Sequence, residues 1–332
     1  MRPLFSAVGF ALLVAFVVPA HSQEQWVVAT PYPENVYHDV NLKQFAREIE
    51  EGLKGKVKIT THHAASLFKH PEIKVAVKTG QIQLAEYQLD NFSNQDEFYN
   101  FDCVPFMATS FHETSLLWEA ALPLMQKRFK REGVKFLYWS PWPAVGFYTK
   151  KKVERIEDFK GMKMRTFNRL GADLAKLMGM QPVVIAAAEI PQAFSTNLID
   201  SMITSSATGV SAQAWDFVKY FLDARVWHGT LQIVMNERAF QSLSPEAQKV
   251  ILDAAGSAEK RAMQKAIEAA DSEKKILVQK GMAVSEPSQE FMRQAQALAQ
   301  NMIADWVKLT GDDGKQFVTR YEDLRRTSKP SR

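Results

Sequence analysis

The sequence predicts a two-lobed α/β fold in which each lobe is a mostly parallel sheet with flanking helices. Strand and helix patterns alternate in two βαβαβ units, one on each side of a stretch at 140–161 that prolines and glycines interrupt. Such alternation favours parallel strands joined by crossover helices. A long helical pattern that opens at Ser244 predicts a long helix after the second unit.

The first unit supplies the first lobe, which we place at 23–144, with 228–250 returning to it. Pro71 in the first turn and Gly80 at the end mark the bounds of its second helix. The predicted elements, in order, are strand 26–30, helix 42–53, strand 55–63, helix 71–80, strand 81–89, helix 113–132 and strand 134–139.

The second unit begins at Lys163 and supplies the second lobe, which we place at 145–227. Asn168 is the predicted N-cap of its first helix, and Gly179 ends that helix. Residues 251–332 are assigned to the long spanning helix and to C-terminal helices that pack on both lobes. The remaining elements of this lobe are strand 182–186, helix 190–198, strand 201–206 and helix 210–220.

The first 22 residues have the pattern of a secretory signal peptide that is cleaved on export. Arg2 gives a positive start, an almost unbroken apolar run spans 4–18, and small residues follow at a cleavage site. An uncleaved anchor is the alternative, and it requires a longer apolar stretch. We therefore expect the mature protein in the periplasm, not embedded in the membrane.

Charge and cysteine content exclude several classes of protein. The net charge of +4 is spread along the chain, so no nucleic-acid partner is predicted. Cys103 is the only cysteine, which excludes an intramolecular disulfide. His62 and His63 are strand neighbours that point to opposite faces, so they cannot easily share an ion. Neither a metal nor another cofactor is predicted.

Fragments of a penicillin-binding or β-lactamase signature make an exported enzyme with a cleft active site the main alternative. Residues 66–69 match S-x-x-K, 78–80 match K-T-G and 195–197 match S-x-N. The mechanism requires S-x-N before K-T-G, with K-T-G on a late strand. The order in this chain is wrong, so we interpret the matches as chance and predict no catalytic residue.

Arg165 is the leading candidate for ligand binding. It ends a predicted strand under a helix N-terminus, where open α/β sheets bind ligands. Its donor fork matches a carboxylate in two parallel hydrogen bonds, whereas its alternative role in a surface salt bridge contributes little. Trp142, between two prolines, is a candidate pocket wall. Thr204 and Ser205 place hydroxyls at a strand end, where N-capping of the next helix uses one hydroxyl of the segment.

Four stretches carry a family resemblance. "IEDFKGMKMRTFNRLGADLAKLMGMQPVVI" is similar to a pattern of Lys-Gly, Lys-x-Arg, a helix and Gly-x-x-Pro-Val, and "EIPQAFSTNLIDSM" resembles the helix and exit that follow it. With "FDCVPF" and "FAREIEEGLKGKVKI", they make the chain from about 25 to 306 resemble the DctP-like substrate-binding proteins of TRAP-type (tripartite ATP-independent periplasmic) transporters. The resemblance implies a periplasmic-binding-protein-like fold, with a long helix spanning both lobes, that closes on an organic acid and delivers it to integral membrane subunits. A binding protein that serves a sensor or an ATP-driven transporter is a further alternative.

The resemblance also implies roles for single residues. Arg165 would clamp the ligand carboxylate, and Thr204 stands where several members carry a ligand-binding asparagine. Phe147 and Tyr148 occupy a stretch where sialic-acid and dicarboxylate binders tend to carry a second arginine. We therefore expect a monocarboxylate, a 2-oxo or 2-hydroxy acid with an apolar or aromatic body, with a C4-dicarboxylate as the alternative. The predicted binding set is Arg165, Thr204, Ser205, Trp142, Phe147, Asn91, Tyr32 and Asn35.

Overall fold

The computed structural model describes residues 23–34 and 36–328. The predicted signal peptide and Asn35 lie outside these residues. The strands are β1 Glu24–Ala29, β2 Val57–His62, β3 Leu84–Tyr87, β4 Val134–Pro141, β5 Val145–Thr149, β6 Lys163–Thr166, β7 Gln181–Val184, β8 Ser201–Ser205, β9 Tyr220–Leu222, β10 Thr230–Asn236 and β11 Ala283–Ser285. The helices are α1 Tyr37–Gly52, α2 His70–Thr79, α3 Phe111–Arg131, α4 Arg169–Leu177, α5 Ile190–Ser195, α6 Ser206–Ser211, α7 Glu237–Gln241, α8 Pro245–Gln279 and α9 Gln289–Thr327.

Over the described residues the strands form two sheets, ordered β2-β1-β3-β10-β4 in the first lobe and β11-β9-β5-β8-β6-β7 in the second. β1 runs parallel to β2 and β3, and β6 runs parallel to β7 and β8. Both sheets are mixed, because β10 and β5 pair antiparallel with each of their neighbours. Each of these two strands enters its sheet directly from the other lobe, without the crossover helix that parallel pairing requires.

Each sheet reverses its strand order at one point that matters for ligand binding. In the first lobe, α1 leads from β1 to β2 on one side, and α2 leads back to β3 on the other. In the second lobe, α4 leads from β6 to β7, and α5 leads back to β8 on the other side of β6. Open α/β sheets bind ligands in the crevice outside the carboxyl ends of the strands at such a reversal. The two crevices therefore lie at the ends of β1 and β3, and of β6 and β8.

Two long helices connect the lobes. α8 packs on α1 and β4 of the first lobe and on α6 and β11 of the second. The Ser244 hydroxyl caps it by accepting from the Ala247 amide at 3.3 Å, and Pro245 occupies its first turn. α9 packs on α3 and α4, with a break at Gly311, whose φ is 63°. Among the described helices, none combines the length and the apolar character that a membrane crossing requires.

The predicted helix at 210–220 is wrong. α6 ends earlier, Ala214–Asp216 forms a 3-10 turn, and the last residue of the prediction, Tyr220, begins β9. Gln213 adopts a left-handed φ of 52°, which interrupts the helical path. Pairing of β9 with β5 and the burial of Phe221 against Tyr148 outweigh the helical spacing of the sequence. The other predicted helices and strands are present with shifted ends.

Candidate functional site

Arg165 lies at the carboxyl end of β6, in the crevice of the second lobe. Only 2% of its surface is exposed. Its Nε donates to the carbonyl oxygen of Ile185 at 2.9 Å, and its guanidinium carbon lies 5.3 Å from the centre of the Phe167 ring. The strand, the following turn and the ring together fix where the guanidinium points.

The guanidinium of Arg165 has no charged partner among the described residues. Its Nη1 is buried without a hydrogen-bond acceptor among the described residues, and no carboxylate of those residues pairs with it. Burial lowers the pKa of Arg165 to about 9, so the group remains protonated at neutral pH. A buried charge is costly unless it is paired. The structural salt bridge that the sequence left open is therefore not what holds Arg165, and its environment is that of an anion site.

Thr204 and Ser205 have different roles at the end of β8. Met202 pairs with Arg165, so Thr204, two residues further on, shares the sheet face of Arg165. The Ser205 hydroxyl accepts from the Thr208 amide at 3.3 Å and caps α6. The cap expected among these hydroxyls is thus Ser205, while Thr204 lies on the face of the crevice.

Trp142 and Tyr32 form an aromatic wall in the first lobe. Their ring centres lie 5.2 Å apart, and His38 lies 4.6 Å from Trp142. The Tyr32 hydroxyl donates to Oε1 of Gln88 at 3.0 Å; burial raises the pKa of Tyr32 well above its usual range, and the positive charge of Arg165 opposes that rise. Nε1 of Trp142 is buried without an acceptor among the described residues. The wall therefore has polar groups as well as ring surface.

Phe147 is not part of this wall, contrary to the prediction. Its backbone pairs with Ile203, one residue beyond Met202, so its side chain lies on the sheet face opposite to Arg165. There it packs 4.7 Å from the Phe159 ring and 6.4 Å from the Phe291 ring. Sheet alternation thus places it in the core of the second lobe.

Asn91, the remaining predicted residue among those described, lies at the margin of the site. Asn91 is exposed, and its amide donates to Oδ1 of Asp90 at 3.1 Å, so it lies beside the crevice rather than in it. His63 pairs with Asp39 at 2.6 Å instead of joining a metal site. No group of three possible metal-ligating side chains occurs in 23–34 and 36–328.

Sequence reasoning missed the polar groups within and just after the carboxyl end of β3. Glu86 is 1% exposed and accepts from the Thr30 hydroxyl at 2.5 Å, and its Oε1 has no hydrogen-bond partner in the part of the chain described. The backbone amide of Gln88 donates to Nε2 of His70, and burial lowers the pKa of His70 to about 4. Polar side chains at 86, 88 and 90, which alternate from the end of a strand into the residues after it, were the available signal.

Two contacts join the crevices of the two lobes. Nδ2 of Asn168 donates to Oδ2 of Asp90 at 2.7 Å, and both side chains are buried. Arg169 forms an ion pair with Glu97 in a more exposed position. Two α/β lobes with facing crevices, and a buried unpaired guanidinium in one of them, define a two-lobed binding protein for an anionic small molecule.

Comparison with known proteins agrees with this class. The sequence matches the bacterial extracellular solute-binding proteins of family 7 over residues 28–309, and the chain belongs to this family. The family resemblance drawn from the sequence is thereby confirmed.

Three relatives illustrate what such proteins bind. The chain is similar to DctP7 of Bordetella pertussis, an extracytoplasmic solute receptor binding pyroglutamic acid, with 37% identity, 90% of this chain and 99% of that chain covered, and a TM-score of 0.87. DctP6 of the same organism, also binding pyroglutamic acid, is 34% identical with the same coverage of 90% and 99% and a TM-score of 0.87. The monocarboxylate 2-oxoacid-binding periplasmic protein of Nostoc sp. is 23% identical over 285 residues, 83% of this chain and 77% of that one.

Family membership decides between the main alternatives. The relatives are substrate-binding transport proteins and not enzymes, so the cleft is a binding site rather than an active site. The protein is an extracytoplasmic TRAP solute-binding protein for organic acids, and the family implies membrane partners of the TRAP type. The predicted two-lobed α/β fold is confirmed by the same comparisons.

Proposed function

We propose that this protein captures a small monocarboxylic acid between its lobes and delivers it to the integral membrane subunits of a TRAP transporter. The observation that carries the proposal is the buried guanidinium of Arg165, which has no anionic partner among the described residues. A ligand carboxylate would accept two parallel hydrogen bonds from this fork and neutralise its charge. The extracytoplasmic location and the membrane partner follow from the family.

A single carboxylate suits the charges of the crevices better than two. Arg169, the next cation along the chain, is already paired with Glu97 and Asp173. The first lobe presents Glu86, which is 1% exposed. A second ligand carboxylate would meet this buried acid instead of a cation, and like charges at close range disfavour ionised binding.

The wall that would contact the ligand body carries more polar groups than the sequence predicted. Without Phe147, the wall consists of Tyr32 and Trp142, and the indole Nε1 of Trp142 is a buried donor without an acceptor among the described residues. Buried donors that stay unpaired oppose a purely apolar ligand. Pyroglutamate, a monocarboxylate with a ring amide, is therefore our first candidate, supported by the two Bordetella relatives. A 2-oxo acid is the second candidate, supported by the Nostoc relative.

The proposal is tested by calorimetric titration of protein that has been unfolded, dialysed and refolded to remove bound solutes. We expect L-pyroglutamate to bind at least tenfold more tightly than succinate or malate, a difference of about 1.4 kcal/mol. Tightest binding of 2-oxoisovalerate or phenylpyruvate would retain the monocarboxylate class and replace the first candidate. Tightest binding of succinate or malate would contradict the class, and binding of none of the five acids would contradict the proposed function.

A further inference from the structure

We propose that Asn168 and Asp90 act as an interlobe latch, which holds the lobes closed over the ligand and sets its affinity without touching it. The inference rests on the proposed function, since it concerns closure over the acid held by Arg165. Both residues would act by holding the lobes in position rather than by contacting the ligand.

The contact between the two side chains is short, and both side chains are buried. Nδ2 of Asn168 donates to Oδ2 of Asp90 at 2.7 Å, with 5% and 2% of the two residues exposed. Asp90 follows β3 of the first lobe, and Asn168 follows β6 of the second. The hydrogen bond therefore exists only when the crevices are brought together, and a charge-assisted bond of this kind is stronger than a neutral one.

The orientation of the Asn168 amide is fixed by a second bond. Its Oδ1 accepts from the Gly171 amide at 2.8 Å and caps α4, so the donor end must face Asp90. Asp90 is held in turn by the Asn91 amide at 3.1 Å and by the Cys103 thiol at 3.5 Å. Neither group needs to reorganise when the lobes meet.

The latch is coupled to the ligand through the chain itself. Arg165 and Asn168 belong to one short segment, the end of β6 and the turn into α4. A carboxylate that draws Arg165 toward the first lobe therefore also brings Asn168 to Asp90. The neighbouring ion pair of Arg169 and Glu97 crosses the same gap, but its side chains are 43% and 23% exposed. Exposed pairs contribute little, so this pair serves as a control.

The test uses five mature proteins: wild type, Asn168→Asp, Asp90→Asn, the double variant that exchanges these two residues, and the control Arg169→Gln. Asn168→Asp keeps an oxygen that caps α4 but replaces the donor with a carboxylate facing Asp90. Asp90→Asn alone retains an acceptor oxygen. The exchange restores one donor and one acceptor across the gap with their positions reversed.

We expect pyroglutamate affinity to fall about tenfold or more in Asn168→Asp, to change by less than about threefold in Asp90→Asn, and to return to within about threefold of wild type in the exchange variant. Arg169→Gln should stay within the same threefold limit. The unfolding temperature without ligand should be similar in all of them, which separates the latch from a folding defect. Small-angle scattering should show a larger radius of gyration for ligand-saturated Asn168→Asp than for saturated wild type.

Two results would overturn the latch: unchanged affinity in Asn168→Asp, or an exchange variant that binds as weakly as Asn168→Asp. Both outcomes differ from failure of the proposed function, in which wild type itself binds neither pyroglutamate nor the other acids. In that case the organic acid that most raises the unfolding temperature of wild type replaces pyroglutamate, and the same two results with that acid would overturn the latch.

Discussion

The bond from Nε of Arg165 to the carbonyl oxygen of Ile185, 2.9 Å long, determines which edge of the guanidinium remains for a ligand. Ile185 directly follows β7, the strand that pairs with β6, so the acceptor is held at the end of the same sheet. The bond occupies Nε and leaves Nη1 buried without a partner in the described residues. A donor that is already oriented loses little conformational entropy on binding, which favours affinity.

Removing this guanidinium should abolish binding and leave the fold intact. In Arg165→Ala we expect the affinity for pyroglutamate to fall by about 3–5 kcal/mol, because the ligand carboxylate would be buried without a partner. Arg165→Lys should also bind poorly, since one point charge replaces a planar fork. Calorimetry measures both losses, and thermal unfolding without ligand checks the fold.

Arg155→Ala, at an exposed position of the same lobe, is the matched control and should bind as wild type does. Affinity in Arg165→Ala equal to that of the control would remove Arg165 from the site.

We expect the lobes to close on the ligand as rigid bodies, with hinge segments at 140–150 and 222–232. These segments contain the links from β4 to β5 and from β9 to β10, which cross between the sheets. Hinge closure of this kind is a common response of binding proteins to their ligands. Small-angle scattering should therefore give a smaller radius of gyration with saturating ligand than without it, and identical profiles would contradict closure.

Two buried carboxyl groups predict an unusual pH dependence of stability. Burial raises the pKa of Asp102 to about 7 and that of Asp90 to about 6, from an ordinary value of 3.8. Between the ordinary and the raised pKa values, the folded state binds more protons than the unfolded state. The stabilisation that comes from protonating these two groups is therefore fully present below about pH 4 and is lost as the pH rises toward 7. The free energy of unfolding should fall by up to about 1.4 kcal/mol per pH unit for each group.

Urea unfolding between pH 4 and 8 tests this expectation through the slope rather than the absolute stability. Asp102→Asn should flatten the decline, since the amide does not titrate and its oxygen can still accept from the Thr230 amide, which donates to Asp102 at 3.0 Å. Asp253→Asn, at an exposed ion pair with Lys249, should leave the slope unchanged. Equal slopes in wild type and Asp102→Asn would show that Asp102 does not titrate in this range.

Local sequence signals predicted most of the elements because they depend on neighbouring residues. Asn168 was predicted as an N-cap, and its Oδ1 accepts from the Gly171 amide as a cap does. The helix expected at 210–220 failed because sheet pairing of Tyr220–Leu222 involves residues far away in the chain. Spacing within a short segment carries no information about such pairing.

The sequence by itself determined the alternation of strands and helices, the family pattern and the importance of Arg165, since each is written in short runs of residues. Only the tertiary structure decided which side chains share the cleft. Register places Phe147 and Arg165 on opposite faces of one sheet, and lobe contact brings Asp90 to Asn168. Both relationships depend on how distant strands pair and how two lobes meet, because burial and hydrogen bonding across those distances are properties of the folded chain as a whole.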